Sequence, residues 1–233
     1  MYKKSLLILL IGLLSFSNSV YGEERSADPA EVSPQTYKII LDNDYIRMLE
    51  ITAKPGERDE MHSHPQSAWY AVSSSKIRLH NTDGSTKDIE VQAGTANFQD
   101  AVAMHSMENI GETDAKIVMV ELKDNQPPVL ETKGPDPLVV SPDVYRLLSE
   151  NETVRILELT TRPGQRDKMH GHPANVYYVL SGKSGKLYNE HGEVKELSLT
   201  AGMASYQDAA QNHQFENSGD LEIKVIMFEL KSK

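Results

Sequence analysis

Two short stretches carry the residues best suited to chemistry. The first is Arg58-Asp59-Glu60-Met61-His62-Ser63-His64-Pro65; the second is Arg166-Asp167-Lys168-Met169-His170-Gly171-His172-Pro173. On an extended strand, side chains two residues apart share a face. His62 and His64 would therefore stand side by side, as would His170 and His172. Two imidazoles on one face, joined by a third, form a seat for a divalent transition metal. Each half supplies that third imidazole downstream: His105 in Gly94…Asp100…His105-x3-Asn109, and His213 in Gly202…Asp208…His213-x3-Asn217. Six of the eight histidines fall into these two trios.

These stretches belong to a duplication. Asp28 to Lys123 aligns without a gap on Asp136 to Lys231, 108 residues later, the separation of His62 from His170. Roughly two in five aligned positions are identical, far above chance for unrelated segments. The Pro-rich, polar stretch 124–135 reads as a linker. Within each half the signals are those of strands. Tyr37–Leu41 and Tyr45–Thr52 flank an Asp-Asn-Asp turn, Pro55-Gly56 marks another turn, and Asn81-Thr82-Asp83-Gly84 reads as a hairpin tip. Lys116–Leu122 and Lys224–Leu230 are apolar closing strands. No stretch shows helical periodicity over three turns. Many short strands with regularly spaced turns predict a β-sandwich or small barrel.

The spacing Gly56-x5-His62-x-His64, followed by Gly94…His105-x3-Asn109, resembles the cupin superfamily. So does Gly164-x5-His170-x-His172 with Gly202…His213-x3-Asn217. The resemblance covers nearly the whole chain, twice. It implies an all-β protein of two tandem cupin-type jelly-roll β-barrels, at 23–123 and 136–233, each with a metal inside. The family's ligands are the two histidines of the first motif, a glutamate soon after, and the histidine of the second motif. Carried over, these are His62, His64 and His105, and His170, His172 and His213. The glutamate has no counterpart: its position falls near Ser67 in the first copy and Asn175 in the second. The proline usual in the second motif is replaced by Asp100 and Asp208.

That departure bears on the metal. Neutral imidazoles favour zinc, iron, copper or nickel, whereas manganese prefers some carboxylate. Three protein ligands leave positions open for water or substrate. Asn175 can offer an amide oxygen or hold a water, which would make the second site the better furnished. Arg58 and Arg166, beside the histidines, are candidates to clamp a carboxylate substrate at the barrel mouth. The competing interpretation is an ion pair with Asp59 or Asp167 that holds the turn. Gln99 and Gln207 are candidate partners for an imidazole N–H. One aromatic of Trp69/Tyr70, and one of Tyr177/Tyr178, points inward. Glu108 and Glu216, at odd spacing from their histidines, point away from the metal. His80 and His191, at the hairpin tips, read as solvated.

Composition narrows the partners. The net charge is −10, with no basic cluster to reverse it, which argues against nucleic acid. Lys3 and Lys4, the apolar run Leu6–Phe16 and Val20-Tyr21-Gly22 have the form of a signal peptide over 1–22. The run is too short to span a membrane comfortably. A periplasmic or secreted location is expected, without stable membrane insertion once the segment is cleaved; an uncleaved anchor is the alternative. There is no cysteine, so disulfides and thiolate ligands are excluded.

Three functions remain open at this level. One is a small-molecule metalloenzyme of oxygenase, isomerase or decarboxylase type, free to form oligomers. The second is a non-catalytic metal or small-ligand binding protein. The third is a metal-free structural bicupin.

Overall fold

The computed structural model describes residues 27–128 and 132–231. The expected export signal at 1–22 lies outside them. The first half opens with one helical turn, α1 (Pro29–Val32). Nine strands follow: β1 (Tyr37–Asp42), β2 (Ile46–Ala53), β3 (His62–His64), β4 (Ser67–Ala71), β5 (Ser75–Asn81), β6 (Thr86–Val91), β7 (Ala96–Gln99), β8 (Val102–Asn109) and β9 (Ala115–Leu122). The second half repeats the plan. It runs α2 (Pro137–Val140), β10 (Tyr145–Glu150), β11 (Val154–Thr161), β12 (His170–His172), β13 (Asn175–Ser181), β14 (Ser184–Asn189), β15 (Val194–Ser198), β16 (Ala204–Gln207), β17 (Ala210–Asn217) and β18 (Ile223–Leu230).

Each half folds into two antiparallel sheets. The five-stranded sheets have the orders β1-β2-β9-β4-β7 and β10-β11-β18-β13-β16. The four-stranded sheets are β3-β8-β5-β6 and β12-β17-β14-β15. The core between the first pair holds Leu49, Ile51, Ile77, Met107 and Met119. The core of the second holds Leu157, Leu159, Leu199, Phe215 and Met227.

The apolar closing strands are buried on both faces, which explains why they do not alternate. On β9, Met119 faces its own barrel while Val118 and Val120 face the other. Ile46, Met48, Ala68 and Tyr70 join them against Ile156, Val176, Tyr178, Ile226 and Phe228 of the second half. Each large side chain fully buried here contributes about 1.5–3 kcal/mol relative to exposure. Tyr178 also donates a hydrogen bond to Glu50 Oε2 across the join, at 2.7 Å.

The Pro-Gly turns need their glycines: Gly56 and Gly164 adopt φ of 76° and 75°, the left-handed region that favours glycine. No helix among the described residues is long and apolar enough to cross a membrane.

Candidate metal centres

The histidines meet through strand pairing. β3 is antiparallel to β8 with His62 opposite His105; β12 is antiparallel to β17 with His170 opposite His213. Each trio can offer one nitrogen apiece within 4.8 Å of the others. The His62 and His105 rings are centred 4.6 Å apart, and those of His170 and His213 4.5 Å apart.

Hydrogen bonds fix which nitrogen faces inward. His62 Nδ1 donates to the Glu60 carbonyl at 2.7 Å, and His64 Nδ1 to Glu121 Oε1 at 2.7 Å. Both rings therefore turn an unprotonated Nε2 towards each other, 3.0 Å apart. The second half repeats this. His170 Nδ1 meets the Lys168 carbonyl at 2.6 Å, His172 Nδ1 meets Glu229 Oε1 at 2.6 Å, and the Nε2 atoms are 2.9 Å apart. Two lone pairs held face to face repel unless a cation lies between them. Burial, helped by the neighbouring imidazoles, keeps His62, His105 and His170 neutral. It pushes His62 and His105 down to about 4 and His170 to about 3.

Glu121 is itself held by Arg47 Nε at 2.6 Å, and Arg47 continues to the Asp28 carboxylate. Asp28 also caps α1 by accepting from Ala30 N. The relay recurs as Glu229, Arg155 and Asp136. Burial alone would raise Glu121, but the hydrogen bonds from His64 and Arg47 outweigh it and leave its pKa lowered. A charged carboxylate, Glu121, therefore fixes the tautomer of His64, and Glu229 takes the same place beside His172.

A tyrosine completes each cluster. Tyr37 Oη lies 3.1 Å from His62 Nε2 and donates to Asp59 Oδ2 at 2.8 Å; Tyr145 has the same relation to His170 and Asp167. The other Asp59 oxygen accepts from Met107 N, which ties the loop before β3 to β8. Burial and the aspartates raise both phenols well above their ordinary value, so they stay protonated. Burial raises Asp167 to about 7.

At the place of the absent glutamate, Ser67 and Asn175 lie on the inward face. They stand opposite Glu121 and Gln99, and Glu229 and Gln207, respectively. Among the described residues, Ser67 Oγ and Asn175 Oδ1 are buried without a hydrogen-bond partner. The Asn175 amide nitrogen is already committed to the Pro173 carbonyl at 2.9 Å. Orphaned buried oxygens beside facing imidazole lone pairs fit a bound cation and its water.

Other expectations need correcting. Arg58 does not reach the barrel mouth. Its Nε donates to Ser106 Oγ at 2.8 Å, and Ser106 points out of the opposite face of β8 from His105. Arg166 lies over the Tyr188 ring at 3.7 Å, likewise outside. Neither arginine pairs with its neighbouring aspartate, because Asp59 and Asp167 turn inward to the tyrosines. The acceptors for the N–H groups of His64 and His172 are Glu121 and Glu229 rather than Gln99 and Gln207, and those of His62 and His170 are backbone carbonyls. His80 is half-buried and bonded to Glu108 at 2.8 Å, not solvated. Glu108 does face outward with it, and Glu216 meets Tyr188 on the matching face at 2.8 Å.

A cavity of about 120 Å³ adjoins His64 and His105 in the first barrel. Trp69, Ile77, Leu79, Met107 and Met119 line it, with Gln99 among its few polar residues. At the equivalent place in the second barrel, Gly185 replaces Ile77 and Phe215 replaces Met107. The Phe215 ring packs so tightly on Gly185 that a Cβ there would lie 2.5 Å from it.

Comparison with known proteins agrees with this architecture. The cupin-domain family matches residues 49–121 and 157–229, and the chain belongs to that family. No curated protein matches the sequence. Among solved structures, the fold is similar to the Bacillus subtilis oxalate decarboxylase studied for its Mn(II) centres. The TM-score is 0.55 at 17% identity, covering 81% of this chain and 70% of that one. It is also similar to a formate complex of Lactobacillus farciminis oxalate decarboxylase, with a TM-score of 0.55 at 14% identity, covering 80% and 77%. At such identities the likeness concerns the fold.

Proposed function

We propose that this protein is an exported, metal-dependent bicupin that acts on a small molecule. Its metals would be held by His62, His64 and His105, and by His170, His172 and His213. One observation carries the proposal: in both barrels two imidazole Nε2 atoms face each other at about 3 Å while their Nδ1 atoms are committed to acceptors. Three neutral imidazoles favour zinc, iron, copper or nickel over manganese. The Mn(II) centres of the oxalate decarboxylases are a property of those proteins.

When bound, such a metal supplies a Lewis-acidic or oxygen-binding centre with open positions, suited to oxygenase, isomerase or decarboxylase chemistry. The chain's own residues would do the rest. Glu121 and Glu229 lock His64 and His172 in the metal-binding tautomer. Ser67 and Asn175 turn an oxygen inward to orient a water. Tyr37 and Tyr145 set a protonated hydroxyl at the edge of each cluster, with a buried aspartate to hold it. Gln99 offers an amide to whatever enters the first barrel. The export assignment rests on the signal-type sequence at 1–22.

Elemental analysis of the purified mature protein tests the proposal. Two metals per chain are expected, falling to about one in His62→Ala and in His170→Ala. Unchanged content in both variants would remove the proposed sites.

A further inference from the structure

We infer that the short arms ahead of each barrel, residues 27–33 and 135–141, are positioning elements of the metal centres, so that arm docking and metal binding strengthen each other. This rests on the metal-binding reading above and adds a means of control to it. β3 and β12 are three-residue strands at the edges of their sheets, paired with β8 and β17. Each arm takes the other side. Ser63 N, between the two histidines, donates to the Ala27 carbonyl at 3.0 Å, and Gly171 N donates to the Pro135 carbonyl at 3.1 Å. A short edge strand has little stability of its own, so what lies along its edge decides how firmly its side chains are held.

Each arm also holds both groups that fix the imidazole tautomers. Ser33 Oγ accepts from Glu60 N at 2.8 Å, and the carbonyl of that same residue takes His62 Nδ1. Asp28 holds Arg47, Arg47 holds Glu121, and Glu121 takes His64 Nδ1. The second barrel repeats both chains: Ser141 through Lys168 to His170, and Asp136 through Arg155 and Glu229 to His172. Asp28 and Ser33 thus act on the first site through other groups, as positioning residues. An ion that needs both Nε2 atoms in place favours the docked arm, and by linkage the docked arm favours the ion. The two arms differ in their seating. The second continues back into the linker, where a Cβ on Gly171 would lie 2.2 Å from the Lys133 carbonyl oxygen. The equivalent residue of the first barrel is Ser63.

The test uses full-length mature protein and begins with the wild type, which needs no variant to fold. Zinc is expected to slow amide hydrogen exchange at Ser63 and Gly171 at least about tenfold. Zinc affinity is then read by competition with a chromophoric chelator, with His170→Ala isolating the first site and His62→Ala the second. Asp28→Asn keeps an oxygen for the cap on Ala30 but removes the charge that holds Arg47. It is expected to weaken the first site about 10–100-fold and leave the second unchanged. Ser33→Ala should weaken the first site alone, Gly171→Ser the second alone, and Asp28→Glu should recover part of what Asp28→Asn loses. The cobalt-loaded Asp28→Asn protein should also show a changed visible spectrum, because a turned His64 alters the ligand field. An arm that only stabilised the fold would leave spectrum and affinity as in the wild type. Unchanged zinc affinity in both Asp28→Asn and Ser33→Ala would overturn this inference and leave the metal reading standing. Zinc binding that left exchange at Ser63 and Gly171 unaltered would do the same. Failure of the wild-type protein to take up zinc would overturn both.

Discussion

Glu121 accepts a hydrogen bond from His64 Nδ1 at 2.7 Å, although the two residues are 57 positions apart in the chain. That bond decides which nitrogen of His64 remains free. Replacing Glu121 with Gln keeps the shape but removes the charge that holds both His64 and Arg47. Loss of such a support typically lowers metal affinity by about 10–100-fold. A competition titration with a chromophoric chelator should show that drop in the first site and none in the second. Equal affinity in wild type and variant would contradict the tautomer-locking role.

Tyr37→Phe removes a hydroxyl and leaves Asp59 Oδ2 without its donor, while Asp59 Oδ1 keeps Met107 N. An orphaned buried acceptor costs about 1–3 kcal/mol. In a protein of this size, each kcal/mol lowers Tm by about 2–4 °C. Urea and thermal unfolding of the metal-free variant should reveal the loss. A variant as stable as wild type would mean that the tyrosine–aspartate bond adds nothing to the fold.

Acid should destabilise the metal-free protein. The unfolded chain protonates its imidazoles near 6.5, whereas the folded chain resists until about 4 at His62 and His105 and about 3 at His170. Stability from these groups is full above 6.5 and drains as the pH falls towards 4. Asp167 acts oppositely: its folded value of about 7 exceeds the ordinary 3.8, so its contribution is present below 3.8 and is lost as pH rises through 7. Burial raises Asp59 in the same direction, and the three histidines outweigh these two carboxyls. Unfolding free energy should fall by on the order of several kcal/mol between pH 6.5 and 4.5. A flat profile in chemical denaturation would show that the trios are not buried as neutral rings.

Gly185→Ala should destabilise the second barrel, because its Cβ would lie 2.5 Å from the Phe215 ring. Overpacking of this kind costs about 1–3 kcal/mol. Phe215→Leu in the same chain should recover part of the loss. A double-mutant cycle in urea reads the coupling directly. Additive effects would place the ring elsewhere.

The histidine trios were legible in the sequence because strand alternation and duplication both pointed to them. Their supports were not. Glu121 and Glu229 sit inside strands otherwise read only as apolar, and their repetition at the same offset was the available signal. Tyr37 lies 25 residues before His62 and meets it only through folding. Arg58 was misplaced because nearness in sequence is a poor guide to direction on a strand. Its neighbour Asp59 took the inward position, so the guanidinium went out. The exchange of Ile77 and Met107 for Gly185 and Phe215 looks like ordinary core variation until the ring is seen over the glycine.

The join between the barrels is made of matching positions from each. Ile46, Met48, Ala68, Tyr70, Val118 and Val120 are the sequence counterparts of Val154, Ile156, Val176, Tyr178, Ile226 and Phe228, and all of them share one cluster. A patch that packs on its own counterpart is self-complementary, the defining property of an isologous pair. A single repeat carrying that patch could have associated with an identical copy before the two were fused. The covalent tether then made a concentration-dependent encounter intramolecular.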